Sequence, residues 1–268
     1  MTPMNEKGGL PVEQNTASHS ALIACLMEMG ELLLGCGAEI SRIEDTLQRL
    51  GKAYGAERMD VFVIPSLISV TLSFPGNEAV TETRRIRSSG GNDFYRLEKL
   101  NDLSRRCCAA PLPIDGLRTA LDRIAAGKKP RSVVYLGSVL AAGSFAVFFG
   151  GTLWDGLAAG AFALLICALQ EKLGQTALNT VAFNLVISLL TGLAVGLLTM
   201  ALPFLHMDMI LIGDIMLLIP GIAMTNAVRN ILVGDTISGA VRLAESLIWA
   251  LALAGGFMVA MLALDLAG

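Results

Sequence analysis

The sequence predicts an α-helical membrane protein, with an N-terminal cytosolic α/β domain followed by five transmembrane helices. The first observation is the charge distribution: residues 1–131 contain 17 of the 20 Lys and Arg and 16 of the 23 Asp and Glu. The second is that the rest of the chain forms apolar segments near the ~20 residues that a membrane helix needs. We therefore divide the chain into a soluble domain, 21–127, and a transmembrane domain, 128–268.

Residues 1–20 are polar and lack the apolar core of a signal peptide, so we predict a disordered cytosolic tail. Apolar residues at helical spacing predict the first two helices of the soluble domain. Alternating and β-branched runs predict its strands, and Asp93 is in position to cap a later helix. The predicted helices are 21–34, 39–54, 94–103 and 114–126, and the predicted strands are 60–65, 67–74 and 81–87.

The transmembrane domain has five predicted spans, at 132–149, 153–169, 178–202, 208–226 and 243–266. Lys and Arg cluster before the first span, follow the second and flank the connection between the fourth and fifth. The 150–152 and 203–208 loops contain none. This alternation predicts that the N-terminus is inside and the C-terminus outside.

Polar residues interrupt the apolar sequence between positions 212 and 242, where they predict a solute pathway. Asp214 would be costly to bury without a partner, so we expect it to be paired with Arg229 or Arg242, protonated, or facing water. A purely structural ion pair is the alternative. Pro220-Gly221 would break the fourth span and free backbone groups that bind a small polar solute.

In this interpretation, each polar residue has a role in secondary transport. Asp214 or Asp235 would couple a proton to the solute, and Pro220 with Gly221 would open the helix. Thr225 and Asn226 would hydrogen-bond the solute, and Arg229 would supply a counter-charge near the cytosolic face.

The soluble domain has its own dense polar cluster, which contains Gly37, Glu39, Arg42 and Glu44. Glu39 and Arg42 are three residues apart and could share a helix face. A second basic group follows on the third predicted strand, at Thr83, Arg84, Arg85 and Arg87. Both groups fit a solvated surface, and both also fit a cytosolic vestibule that meets an anionic or zwitterionic solute.

Several functional classes find little support in the sequence. Five cysteines without a CxxC pair and only two histidines do not predict a disulfide framework or a metal site. The chain has no phosphate-binding glycine motif and no basic cluster interleaved with aromatic residues. We therefore expect no cofactor, no metal, no nucleic-acid partner and no ATP hydrolysis.

Two segments resemble the threonine/serine exporter family of inner-membrane proteins. The first runs from Leu34 to Glu44 (LGCGAEISRIE). The second is Pro220-Gly221-x-x-x-Thr225-Asn226-Ala227-Val228-Arg229, continued by Gly234-Asp235-x-x-Ser238-Gly239. The resemblance covers residues 20–266 and implies export from the cell across the inner membrane.

Full-length members of that family look like this chain followed by a second membrane module. The resemblance therefore implies the larger subunit of a split exporter, with a smaller membrane protein as its partner. It is also compatible with an oligomer of this chain. Split relatives are associated with succinate export and full-length ones with threonine and serine export. Asn230 departs from the family pattern, which has an aspartate after the arginine that matches Arg229. The missing charge argues against carrying over a charge relay at that position.

Two other functions were weighed against the exporter. Intramembrane aspartyl proteases use a Gly-x-Gly-Asp motif, but Gly213-Asp214 and Gly234-Asp235 both lack the first glycine. We therefore predict no catalytic residues. A membrane sensor or scaffold, whose soluble domain binds a ligand, remains the main alternative.

Overall fold

The computed structural model describes residues 12–76, 78–86, 92–127, 130–173 and 179–266. The chain divides into two units, one ending at Gly127 and the other beginning at Lys128. Each unit has its own hydrophobic core.

The described residues of the first unit form four helices and one three-stranded sheet. In chain order its elements are α1 (Val12–Gly35), α2 (Ile40–Ala53), β1 (Arg58–Ile64), β2 (Leu67–Ser73), β3 (Val80–Arg85), α3 (Phe94–Ala109) and α4 (Ile114–Ala126). The sheet is an antiparallel meander in the order β1-β2-β3. The predicted position 87 lies outside the described residues.

One face of the sheet forms the core with the helices. Ile68, Val70 and Leu72 alternate along β2 and are buried, as the two-residue period of a half-buried strand requires. The opposite face carries the exposed ring of Phe62 beside polar residues, and the hydroxyls of Ser69 and Thr71 bond with those of β3 across the strand pair. Asp93 accepts a hydrogen bond from the backbone N–H of Arg96, which confirms the predicted helix cap.

The helix α1 begins at Val12, so residues 12–20 are helical and the tail predicted for 1–20 is wrong over that stretch. Positions 1–11 lie outside the described residues. Extending an existing helix costs little because nucleation has already been achieved. His19 also gains a partner, since its ring stacks on Phe74 at 3.7 Å between centroids.

The described residues of the second unit form helices joined by short turns. It consists of α5 (Arg131–Phe148), α6 (Leu153–Leu173), α7 (Thr180–Ala201), α8 (Met207–Leu218), α9 (Gly221–Leu232) and α10 (Thr236–Asp265). Four helices, α5, α6, α7 and α10, are long and apolar enough to cross a membrane. The consecutive pair α8 and α9 passes the same test together and is bent by 53°.

Glycines allow the helices of this unit to approach closely. A Cβ atom added at Gly143 would lie 2.9 Å from the carbonyl oxygen of Gly156, between α5 and α6. One added at Gly192 would lie 2.8 Å from the Cβ of Ala260, between α7 and α10. Small residues therefore let helices of this chain pack closely against each other.

The structure moves two predicted span boundaries. The helices over the fourth predicted span, 208–226, continue to Leu232 in α9, and the helix over the fifth, predicted from 243, begins at Thr236. Arg229 and Arg242 therefore lie within helices, whereas we predicted that they flank a longer connection. Hydropathy alone ends the predicted spans near these charges. In the structure, a turn of only three residues, 233–235, joins α9 to α10, because Gly234 adopts φ +95°.

Candidate functional site

Asp214 lies in the middle of α8, where that helix packs against α5, α6 and α7. Its neighbour Gly213 brings the helix backbones together, since an added Cβ there would lie 2.5 Å from the carbonyl oxygen of Ala142. Asp214 is 0% exposed, and neither carboxylate oxygen has a hydrogen-bond partner among the described residues. Of the three states expected for Asp214, the ion pair with Arg229 or Arg242 is therefore not formed in the structure.

The burial of Asp214 has a free-energy cost. A buried carboxylate without a donor is costly, by a few kcal/mol on membrane-insertion scales (~2.5–3.5). A proton, a cation or a polar solute would offset that cost. Asp214 therefore lacks, among the described residues, the partner that its burial calls for.

The break between α8 and α9 is a defined turn. Pro220 has φ −76° and ψ 52°, and the N–H of Gly221 donates to the carbonyl oxygen of Ile219 at 2.8 Å. These values describe an inverse γ-turn, which returns one backbone hydrogen bond where proline interrupts the helix. A Cβ atom added at Gly221 would meet nothing within 4 Å, so the backbone is open at the bend.

The polar residues predicted to bind solute on α9 differ in their availability. The hydroxyl of Thr225 donates to the carbonyl oxygen of Gly221 at 2.9 Å, so its proton is used within the helix. Asn226 is half-buried and Arg229 is exposed. Thr225 can still accept a hydrogen bond, and Arg229 can still present its charge at the surface of the helix.

A second polar site lies at the corner where α9 turns into α10, and we call Asn230, Asp235 and Ser238 the corner cluster. Asn230 and Ser238 are buried, and Asp235 is half-buried. The amide nitrogen of Asn230, one carboxylate oxygen of Asp235 and the hydroxyl of Ser238 are all buried without a hydrogen-bond partner among the described residues. The cluster therefore offers a donor, an acceptor and a hydroxyl that can do either.

The backbone holds the corner cluster in place. The N–H of Asp235 donates to the carbonyl oxygen of Asn230 at 2.9 Å. Gly239 lets α10 approach α9, because an added Cβ would lie 2.7 Å from the carbonyl oxygen of Ala227. Asp235 precedes α10 but makes no side-chain cap, so its carboxylate is not committed to the helix end. Arg242, two turns further on, lies within electrostatic range of it.

The two acids predicted to couple a proton thus lie in different places. Asp214 lies among α5, α6 and α7, whereas Asp235 lies where α9 packs against α10. The sequence had not singled out Asn230 and Ser238 as binding residues. Ser238 belongs to the motif Gly234-Asp235-x-x-Ser238-Gly239, and Asn230 is the position that departs from the family pattern. Neither sequence feature indicates that the side chain is buried without a hydrogen-bond partner.

A second fully buried acid, Asp155, has the hydrogen-bond partners that Asp214 lacks. Its carboxylate accepts hydrogen bonds from the N–H and hydroxyl of Thr152, both at 2.8 Å. It also accepts one from the backbone N–H of His206 at 2.8 Å, and the His206 ring lies 3.0 Å away. The Thr-x-x-Asp spacing is a capping-box pattern that the sequence could have revealed. Asp155 is therefore a structural residue.

The residues of the cluster predicted in the soluble unit lie in different local settings. Gly37 has φ +83°, which forms the turn between α1 and α2. Glu44 accepts a hydrogen bond from the N–H of Val63 at 3.0 Å, so it ties α2 to β1. Glu39 precedes α2 with extended backbone, so it does not share a helix face with Arg42 as predicted. Arg42 is exposed.

No group of three or more His, Cys, Asp or Glu residues in the described part of the chain is arranged to hold a metal ion. Several apolar helices with buried, unpartnered polar side chains define a multi-pass membrane protein with a polar interior, the class to which solute transporters belong.

Within that class, the family model described as "Putative threonine/serine exporter", ThrE, matches residues 24–264. The chain therefore belongs to the ThrE family. No curated protein and no solved structure matches the chain.

Proposed function

We propose that this chain is a subunit of a secondary transporter that exports small polar solutes across the inner membrane. Two substrate classes fit, namely threonine or serine, and a C4 dicarboxylate such as succinate. The observation that carries the proposal is the buried carboxylate of Asp214, which has no partner in the part of the chain that the structure describes. Family membership supports export as the direction of transport.

In the proposed mechanism, Asp214 binds and releases a proton as the solute moves. Pro220 and Gly221 keep the α8–α9 bend open, so that a solute can reach backbone groups there. Asp235 in the corner cluster attracts an ammonium group, while Asn230 and Ser238 donate to a carboxylate. Arg229 presents positive charge, with Thr225 and Asn226 as further hydrogen-bonding groups on the same helix.

The proposed orientation places the N-terminal unit in the cytoplasm and the C-terminus outside. Arg131 and Glu171 form an ion pair of 3.1 Å, which supports the hairpin of α5 and α6 with both of these ends on the same side. Lys and Arg are concentrated at that side, as expected for the cytosolic face. A reporter enzyme that is active only outside the cytoplasm should be active at the C-terminus and inactive at the N-terminus. The reverse pattern would overturn the orientation.

A smaller membrane protein of the same family is the proposed partner. We expect efflux of labelled threonine, serine or succinate from preloaded cells only when both proteins are expressed. Efflux with this chain alone would show that no partner is needed. If no labelled solute leaves, although both proteins are present in the membrane, the exporter proposal would be wrong and a sensor would be the better interpretation.

The coupling role is tested with two substitutions on one helix. Asp214→Asn preserves shape but cannot carry a proton, so efflux should fall to background while the protein still reaches the membrane. Asp208→Asn is the matched control, because Asp208 lies exposed in the first turn of α8 and should leave efflux unchanged. Normal efflux from Asp214→Asn would exclude proton coupling through this residue.

A further inference from the structure

The soluble unit contains a cavity of about 520 Å³ in the groove between α2 and α3. We call this cavity the α2–α3 groove. Its volume falls in the range of roughly 300–1,000 Å³ that is typical of small-molecule sites. Its principal lining residues are Arg42, Arg49, Phe94, Leu97, Asn101 and Arg105.

The groove carries more positive than negative charge. Its three arginines face two acids, Asp45 and Glu98. Arg49 is already paired, since its Nε lies 2.9 Å from a carboxylate oxygen of Asp45. Arg42 and Arg105 have no hydrogen-bond or ion-pair partner among the described residues. Two guanidinium groups from different helices are therefore available to the same space.

The fold does not require these arginines. The core beneath α2 and α3 is made by Leu47, Leu50, Leu100 and Leu103, each of which is 0% exposed. Arg42 and Arg105 lie outside that core and are exposed. Outside the Arg49–Asp45 pair, the lining keeps two arginines against one acid, Glu98, so its net charge is positive. A bound anion would balance that charge.

The rest of the lining indicates what else the anion carries. Phe94 is 52% exposed, and Leu97 lies one helical turn further along α3. An exposed aromatic ring beside an aliphatic side chain suits an apolar or flat organic group. Asn101 adds a side-chain amide that can donate or accept a hydrogen bond. Inorganic phosphate alone would leave the apolar wall unused.

We propose that the α2–α3 groove binds a small organic anion, whose carboxylate or phosphate group lies between Arg42 and Arg105 and whose apolar part packs on Phe94. Guanidinium groups form paired hydrogen bonds with carboxylates and with phosphates. The proposed ligand class is therefore defined by an anionic group of either kind. This site belongs to the soluble unit and goes beyond the proposed transport pathway. Binding there does not depend on Asp214.

Cys108 provides a reporter at the site. It lines the groove and is the exposed one of the chain's five cysteines. Partial burial of its thiol raises the pKa of Cys108, so labelling with a maleimide is run at mildly alkaline pH. A ligand in the groove should slow that labelling. Cys108→Ser should abolish it and so identify the modified position.

The experiment uses the purified full-length chain with four probes at millimolar concentration: succinate, threonine, adenosine monophosphate and inorganic phosphate. We expect at least one organic anion to slow Cys108 labelling saturably, and more strongly than inorganic phosphate does. Protection by succinate or threonine would identify a carboxylate ligand. Protection by the nucleotide would identify a phosphate ester. No protection by any probe would overturn the proposal.

Substitutions then test which residues hold the anion. Arg42→Gln and Arg105→Gln should each weaken protection roughly tenfold or more, as expected when one charged hydrogen bond is lost. Arg106→Gln is the matched control, because Arg106 pairs with Asp102 outside the groove. Equal protection in all three variants would overturn the proposed site. Unchanged melting temperatures would show that the variants remain folded, and efflux would test transport separately.

Discussion

His206 and Asp155, which are 51 positions apart, join the start of α8 to the start of α6. The backbone N–H of His206 donates to one oxygen of the Asp155 carboxylate at 2.8 Å, and the imidazole Nδ1 lies 3.0 Å from the other. Asp155 is 0% exposed. The two helix starts therefore lie at the same end of the membrane unit, as the predicted alternation of spans requires.

The first prediction is that Asp155→Asn destabilises the protein. The asparagine amide would place a donor against donors from Thr152 or His206, leaving a buried hydrogen bond unmade at a cost of about 1–3 kcal/mol. Thermal unfolding of the purified protein in detergent should show a lower melting temperature. His206→Ala should cost less, because the backbone N–H remains. Equal melting temperatures for Asp155→Asn and the parent would contradict this role.

The presence of the helices and the lone charges were predictable from sequence because each depends on local pattern. Several helix ends were not: α1 begins at Val12 and α3 continues to Ala109. The helix predicted at 114–126 is α4, since its apolar positions recur at helical spacing and its end is marked by glycine. Asp214 stood out because a carboxylate is rare in an apolar helix. The domain boundary was visible in the change of charge density before position 131.

Other features depend on tertiary contacts that local pattern does not contain. The bond between Asp155 and His206 joins distant positions, and nothing near either residue indicates the other. Small polar residues such as Ser238 are common in membrane helices, so sequence cannot tell which of them lacks a partner. The α2–α3 groove likewise arises only when two helices from separate parts of the chain pack side by side.

The second prediction concerns the contact between α7 and α10. A Cβ atom added at Gly256 would collide with the hydroxyl of Ser188 and lie 2.5 Å from the carbonyl oxygen of Leu185. Gly256→Ala should therefore push the helices apart and cost about 1–3 kcal/mol, as overpacking generally does. The lower melting temperature can be measured in detergent.

The adjacent residue provides the control for this substitution. A Cβ atom added at Gly255 would meet nothing within 4 Å. Gly255→Ala should be neutral or slightly stabilising, because alanine favours the helix over glycine by up to ~1 kcal/mol. If both variants melted at the same temperature, the close approach of α7 and α10 would be refuted.

The third prediction tests the turn between α1 and α2. Gly37 has φ +83°, a conformation in which a Cβ atom meets the backbone, so Gly37→Ala should cost about 1 kcal/mol. Gly35→Ala is its control, since Gly35 ends α1 with open space around it. Thermal unfolding should separate the two variants, and an equal effect would mean that the turn does not require glycine.

The fourth prediction separates stability from transport at the corner cluster. The hydroxyl of Ser238 is buried without a partner in the described chain, so Ser238→Ala removes no hydrogen bond from the folded protein. It also removes the cost of burying a polar group, and the melting temperature should stay the same or rise. Efflux should fall severalfold, because the hydroxyl is proposed to bind the solute.

Ser246 on the same helix is the matched control. It is also buried, but its hydroxyl donates to the carbonyl oxygen of Arg242 at 2.8 Å, within α10. Ser246→Ala therefore loses a hydrogen bond that serves only the helix, and efflux should be unchanged once expression is matched. Since both substitutions delete one buried hydroxyl from one helix, a difference in efflux isolates the unpaired group. Equal efflux from both variants would remove Ser238 from the solute pathway.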